Sequence, residues 1–269
     1  MDRAEPDNPY GGGGERADDL EALLSALTAT AAFGSGTGRG VRVGLIDSGV
    51  DPAALARPPA GEAVFRLSAA GAVEHPAAPT GVRSPHGTAV AQIITRLAPD
   101  VELHSADVLD ATGRGAADLV LAGLEWALDR GCRVINVSLG LTAADLPRAE
   151  RRWRFAEIVE RAYFADAVIV AAAHNLHDTG VEAFPALFGS AIAVGRRLLG
   201  AGEAVEYRAA RPAEFAACGK AVHPQFRFQS ATSFAAPHVT ALIARLLERH
   251  PGLKPFEIKT ILYRAAERR

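Results

Sequence analysis

Short runs of valine, isoleucine and alanine alternate with segments of helical periodicity along most of the chain. The clearest runs are VRVGLI at 41–46, RVINVSL at 133–139 and AVIVAAA at 167–173. Near-continuous apolar runs of this length are typical of strands buried on both faces, as in parallel sheets. Strands that alternate with helices in this way predict a three-layer α/β/α fold around a mostly parallel central sheet.

The same patterns predict one domain that follows a short tail. Residues 1–18 are polar and glycine-rich, so we expect a disordered tail there. No internal repeat is visible, and we assign 19–269 to a single domain. Two further strands are predicted at 101–109 and 191–195, and helices are predicted from Asp18 and at 86–97, 116–130, 147–165, 232–250 and 254–267.

The composition excludes several classes of partner. The net charge is only −2, which gives no reason to expect binding to nucleic acid or to an anionic membrane. The apolar runs are too short to span a bilayer, and the polar N-terminal residues do not resemble a secretory signal, so we expect a cytoplasmic protein. The sequence carries no indication of the oligomeric state.

Cofactor and metal sites are also not expected. Cys132 and Cys218 form neither a disulfide framework nor a metal-binding spacing, and we expect both to be buried free thiols. The glycine-rich segment at 34–40 precedes its strand and lacks a Gly-Lys-Ser/Thr ending, so we interpret it as a loop and disfavour nucleotide binding.

Reactive side chains fall where strands end and helices begin. Asp47 follows the first strand, Asn175 follows another, and His86 and Ser233 open predicted helices. Chemistry in open parallel sheets gathers at the carboxyl ends of strands, and an acid, an imidazole and a hydroxyl are the parts of an activated nucleophile. Taken singly, each residue also has an ordinary structural reading, as a turn residue or a helix cap.

Five blocks together resemble the subtilisin-like serine proteases, over residues 20–267. GLIDSGVDP, HGTAVAQII and TSFAAPHVTALIARLL resemble the three blocks that carry the Asp, His and Ser of that family, in that order. GLEWALDRGCRVINVSLG resembles the helix and substrate-binding strand, and AAAHN resembles the block with the oxyanion asparagine. The five blocks begin at residues 44, 86, 232, 123 and 171.

The resemblance implies a role for each matching residue. Ser233 would be the nucleophile, His86 the general base, Asp47 the partner that orients His86, and Asn175 a donor to the oxyanion. An extended peptide would pair with two edge segments as an added strand. These segments are Ser138, Leu139 and Gly140, and Gly113, Arg114 and Gly115.

Four departures from the family pattern lead to further expectations. His174 stands where glycine is usual, and its imidazole should narrow or polarise the pocket for the residue before the cut. Ala231 replaces the glycine that usually precedes the Thr-Ser pair. The segment 96–103 is short, so we expect no structural calcium. The N-terminal residues do not resemble a folding domain, so we expect an intracellular enzyme that folds unaided.

The sequence thus predicts a serine endopeptidase that processes a particular peptide or protein. The alternative is a catalytically weak or inactive relative that binds peptides, which His174 and Ala231 would favour, and a third hypothesis is an esterase or transpeptidase. Asp178 or Glu182 would favour basic residues at the cut, unless they only form a solvated loop. His238 is expected to be structural, and surface or loop positions are expected for His75, His104, His177, His223 and His250.

Overall fold

The computed structural model describes residues 32–77, 84–110, 113–197, 204–209 and 212–268. A large central sheet contains the strands β1 Arg42–Asp47, β2 Gly61–Val64, β5 Glu102–Asp107, β6 Val134–Val137, β7 Val168–Ala172, β8 Ile192–Arg197, β9 Glu206–Tyr207, β10 Phe215–Cys218 and β11 Glu267–Arg268. Its strand order is β11-β9-β10-β8-β7-β6-β1-β5-β2, and β10 with β9 is the antiparallel pair. A separate hairpin pairs β3 Arg66–Leu67 with β4 Val73–Glu74. The sheet is mostly parallel, as predicted.

Helices cover both faces of this sheet. They are α1 His86–Leu97, α2 Ala117–Asp129, α3 Ala149–Phe164, α4 Thr232–Arg249 and α5 Pro255–Ala265. Helices α1, α4 and α5 share one apolar core with one face of the sheet, and α2 and α3 share another core with the opposite face. On β1, Leu45 points into the first core and Ile46 into the second, as the alternation of a strand requires. The three-layer prediction is confirmed.

The periodic segments were predicted best. The five helices lie within two residues of their predicted starts. The strands β5, β6 and β7 lie within their predicted segments, and β1 and β8 extend one and two residues beyond theirs. The short strands β2–β4 and β9–β11 were not predicted, because two to four mixed residues carry no periodic signal. The predicted tail at 1–18 and the helix from Asp18 lie outside the described residues. No helix of the described part is long and apolar enough to cross a bilayer.

The glycine-rich segment at 34–40 is bound by the protein itself. The backbone N–H of Gly38 donates to the Glu248 carboxylate at 2.8 Å, and the N–H of Thr37 donates to the same oxygen. These amides resemble an anion cradle because they bind an anionic group, which here is a side chain of α4.

Three predictions about buried residues need correction. Cys132 is buried, and burial raises the pKa of its thiol to about 12, but Cys218 is only half-buried because it ends β10. His104 and His177 are buried, not on the surface. The His104 ring fits beside Gly61, where a Cβ would approach its Nδ1 to 2.7 Å.

Candidate active site

The site begins with Asp47, the last residue of β1, at the carboxyl edge of the sheet. Its side chain is fully buried, and Oδ1 accepts the backbone N–H of Ser48 at 2.7 Å. The start of α1 packs directly against this turn. A Cβ on Gly87 would lie 2.2 Å from the carbonyl oxygen of Gly49, so only glycine permits this approach. The close packing brings the first residue of α1 to the carboxylate.

That first residue is His86, and it bridges the carboxylate and the hydroxyl. Its Nδ1 lies 2.8 Å from Oδ1 and 3.0 Å from Oδ2 of Asp47, and its Nε2 lies 3.0 Å from Oγ of Ser233. An Nδ1–H donated to the carboxylate leaves Nε2 as the acceptor for the hydroxyl. The rings of Phe234 and Phe226 lie 5.2 and 6.0 Å from the imidazole, between centroids.

Two opposing effects act on the His86 imidazole. Burial alone would lower its pKa, but the charge of Asp47 and the hydrogen bond to that carboxylate outweigh burial and raise the pKa above the ordinary value. The imidazolium is therefore stabilised in this position, which is what a base needs when it receives a proton during a reaction.

Ser233 is the second residue of α4, and its carbonyl is held in an unusual way. A helix would normally satisfy this carbonyl with the N–H four residues later, but that residue is Pro237, which has no N–H. The hydroxyl of Ser138 donates to it instead, at 2.8 Å. Asn136 donates to that hydroxyl and accepts from Thr240 of α4. This buried chain ties the nucleophile helix to the segment after β6.

Asn175 lies beside the hydroxyl with its amide orientation set by Thr232. Its Oδ1 accepts the backbone N–H of Thr232 at 3.1 Å and the Thr232 hydroxyl at 3.2 Å. These bonds assign the oxygen and direct the NH₂ group away from Thr232. Asn175 and Ser233 line the same cavity of about 350 Å³, so the NH₂ group and the backbone N–H of Ser233 can both donate to one oxyanion.

The two predicted edge segments flank the cleft. Ser138, Leu139 and Gly140 line the 350 Å³ cavity together with Gly113. Gly113, Arg114, Gly115, Leu139 and Gly140 also line an adjoining cavity of about 470 Å³. The predicted binding residues and His86, Ser233 and Asn175 therefore line two adjoining cavities, and the buried Asp47 lies behind His86.

His174 and Ala231 leave the geometry of the site intact. His174 is half-buried, lines the cavity, and accepts the backbone N–H of Leu176 through Nδ1 at 3.1 Å. Ala231 has φ −142° and ψ 156°, an extended conformation open to any residue. Asp178 contacts His177 and Arg208 and does not line the cavity, which favours the solvated-loop reading of this carboxylate.

Sequence reasoning missed several residues that support the site. Thr232 and Phe226 contact Asn175 and His86, and Asn136 supports Ser233 indirectly through Ser138. Only Thr232, next to the serine, had a positional signal. No cluster of three or more potential metal ligands occurs among the described residues. Only residues 98–101 separate α1 from β5. The lack of structural calcium stays a prediction.

A hydroxyl, an imidazole and a carboxylate in line at the carboxyl edge of a parallel sheet are the arrangement of a serine hydrolase. Comparison with known proteins identifies the family. The sequence profile of the subtilase family, peptidase S8, matches residues 38–269. The chain therefore belongs to the subtilase family, whose members are serine endopeptidases.

Relatives and solved structures agree with this assignment. The chain is 31% identical over 194 residues to subtilisin DY of Bacillus licheniformis, covering 66% of this chain and 68% of the relative. It is 30% identical over 255 residues to subtilisin E of Bacillus subtilis (strain 168), covering 88% of this chain but only 63% of that relative. A crystal structure of a cold-adapted subtilisin-like serine proteinase shares the fold, with a TM-score of 0.58, 21% identity, and coverage of 83% and 81%.

Proposed function

We propose that this chain is a serine endopeptidase that hydrolyses peptide bonds through Asp47, His86 and Ser233. One observation carries the proposal. The His86 ring lies within hydrogen-bond distance of both partners at once, 2.8 Å from the carboxylate and 3.0 Å from the hydroxyl. A general base must have this reach before its pKa matters.

The geometry supports a defined sequence of proton transfers. Oγ of Ser233 forms a bond to the carbonyl carbon of the substrate while its proton moves to Nε2 of His86. The imidazolium then gives this proton to the leaving amine as the C–N bond breaks, and an acyl-enzyme forms. Water then attacks the acyl carbon while His86 takes its proton, and the imidazolium returns this proton to Oγ of Ser233 as the ester bond breaks and the acid product leaves. Asp47 orients the ring and stabilises the imidazolium in both halves of the reaction.

The oxyanion of each tetrahedral intermediate is the second requirement. The NH₂ group of Asn175 and the backbone N–H of Ser233 would donate to it, and Ser233 lies in the first turn of α4, where the helix dipole favours negative charge. The peptide itself would lie extended between 113–115 and 138–140 and present one side chain to the cavity beside His174.

We also propose that the enzyme works inside the cell on a particular peptide or protein. Cys132 and Cys218 are both free, which supports a reducing compartment. The imidazole of His174 in the cavity wall supports selectivity over bulk digestion. Fractionation of the source cells, followed by an immunoblot, tests the location, and recovery of the protein only from the culture medium would refute it.

Covalent labelling tests the catalytic proposal directly. A fluorophosphonate probe should label the wild-type protein and the Ser190→Ala control, which removes a half-buried hydroxyl outside the cleft, but not the Ser233→Ala protein. Cleavage profiling against a diverse peptide pool, with Ser233→Ala as the blank, then defines the substrates. Absence of labelling in the wild type, under conditions that label trypsin, would refute the proposal.

Two other functions make different predictions in the same experiments. A peptide-binding relative would retain peptides on a column of the wild-type protein without cleaving them or reacting with the probe. An esterase or transpeptidase would react with the probe, but matched ester and peptide substrates would give ester hydrolysis alone or peptides joined to an added amine. The family assignment favours the endopeptidase.

A further inference from the structure

Arg196 and Arg197 end β8, Arg208 donates to the carbonyl of Arg196, and the three side chains differ in their electrostatic partners. Arg197 lies 3.5 Å from the buried carboxylate of Glu206 and 2.9 Å from Glu267. Arg208 lies 3.2 Å from the same Glu206. Among the residues that the structure describes, Arg196 at the end of β8 forms no ion pair with a carboxylate, unlike Arg197 and Arg208.

The guanidinium of Arg196 contacts the side chain of Asn175. Its Nη1 lies 3.5 Å from Oδ1 of Asn175, the oxygen that also accepts two hydrogen bonds from Thr232. Three donors from two different elements therefore converge on one amide oxygen. Arg196 belongs to β8 and Thr232 to α4, so two separate elements hold this amide oxygen.

We propose that Arg196 is a positioning residue that holds and polarises the carboxamide of Asn175 toward the oxyanion. The inference rests on the proposed function. A cation behind the carbonyl oxygen draws electrons from the amide and makes its N–H groups stronger donors. The donors are also fixed before the reaction begins, so no reorganisation is needed as the negative charge develops.

This role predicts a specific kinetic signature. The interaction is stronger in the anionic transition state than with the neutral peptide, so loss of Arg196 should lower kcat and leave KM nearly unchanged. A role of Arg196 in substrate binding would change KM instead of kcat. If Arg196 instead paired with an acidic residue of the substrate, its loss would raise KM, and only for peptides that carry that residue.

The test compares an anionic analogue with a neutral ligand of the same sequence. A peptide boronic acid forms a bond between boron and Oγ of Ser233, the serine proton moves to His86, and the adduct is a tetrahedral anion. The same peptide ending in a carboxamide forms no such anion. Affinities for both ligands, measured by calorimetry, and kcat and KM on a cleaved peptide are determined for each variant.

The variants separate charge from shape. Arg196→Ala should lower both kcat and the affinity for the boronic acid by about tenfold, with unchanged affinity for the carboxamide. Arg196→Lys keeps the charge and should restore most of the loss, whereas Arg196→Gln keeps donors without charge and should not. Arg161→Ala removes an exposed arginine paired with Asp129 on the far face and should behave as wild type.

Different outcomes test the role of Arg196 and the proposed endopeptidase function. Equal boronic acid affinity in the wild type and Arg196→Ala would overturn the inference, as would equal behaviour of the Lys and Gln variants. A rise in KM confined to acidic peptides would also overturn it. A wild-type protein that cleaves no peptide, but binds the boronic acid in an Arg196-dependent way, would refute the proposed function and support the inference.

Discussion

The two walls of the cleft are built in different ways. On one wall, Asp47 ends a central strand and is fully buried, and His86 and Ser233 begin helices that pack into the same core. On the other wall, 113–115 lie on a connection, and Gly140 and Asn175 are exposed. The proposed proton relay thus stands on buried regular elements, whereas the proposed binding groups lie on connections that run from the buried Ser138 to the exposed Gly140 and Asn175.

The two walls should differ in how well they tolerate substitutions. Groups on packed helices and strands keep their geometry within the small range that chemistry requires. Exposed connections accept substitutions without unfolding the core, so selectivity can change there at little cost in stability. Of the two local departures from the family pattern, His174 lies on the connection with Asn175, whereas Ala231 precedes Thr232 at the start of α4, on the buried wall. Substitutions on the two walls can therefore be used to test the contrast.

The largest effect is expected from Asp47→Asn on the buried wall. The Asp47 carboxylate orients His86 and raises the pKa of its imidazole. Without this carboxylate, kcat should fall by about 10⁴. Any residual activity should lose its acid limb at lower pH than the wild type, because an imidazole with a lower pKa stays neutral further into acid. A pH–rate profile checks both, with the exposed Asp129→Asn as the control. A fall in kcat of less than tenfold would contradict the proposed role of Asp47 in the proton relay.

Asn175→Ala should have the next largest effect. It deletes one oxyanion donor, and kcat should fall by 10² to 10³, with a smaller change in KM. Because the residue is exposed, the unfolding midpoint in urea should stay close to that of the wild type. A normal kcat, measured on the best substrate from the profiling, would show that the exposed wall holds no catalytic donor at this position.

His174→Gly should alter selectivity more than rate. The substitution removes an imidazole from the cavity wall, so peptides with a bulky residue before the cut should gain about tenfold in kcat/KM. Peptides with a small residue there should change little. The measurement is kcat/KM over a peptide series that varies this one residue. An unchanged order of preference would place the selectivity elsewhere on the wall.

The smallest effect concerns stability away from the cleft. Burial lowers the pKa of His104, and Arg42 and Arg130 lower it further, so the folded chain resists a proton that the unfolded chain accepts below its ordinary pKa of 6.5. The contribution of His104 to the free energy of unfolding is complete above pH 6.5 and is lost as the pH falls below this value. The urea midpoint should drop less between pH 7.5 and 5.5 in His104→Leu than in the wild type. His250→Gln, at an exposed position, should drop as much as the wild type.

The sequence predicted the buried wall better than the exposed one. Apolar periodicity located β1, α1 and α4, and the motif blocks placed Asp47, His86 and Ser233 at their ends. Arg196 contacts Asn175, 21 residues earlier in the sequence, because β7 pairs with β8 and Asn175 lies in the connection after β7. A contact of this kind leaves no local pattern in the sequence. The burial of His104 likewise depends on the missing side chain of Gly61 on a neighbouring strand.

Pro237 gives the two walls a mechanical connection. Because this residue cannot bond to the carbonyl of Ser233, the first turn of α4 is completed by the hydroxyl of Ser138, which belongs to the segment proposed to grip the peptide. The carbonyl of the nucleophile residue is thus fixed from outside its own helix. Any shift of residues 138–140 on peptide binding would reach Ser233 through this one hydrogen bond.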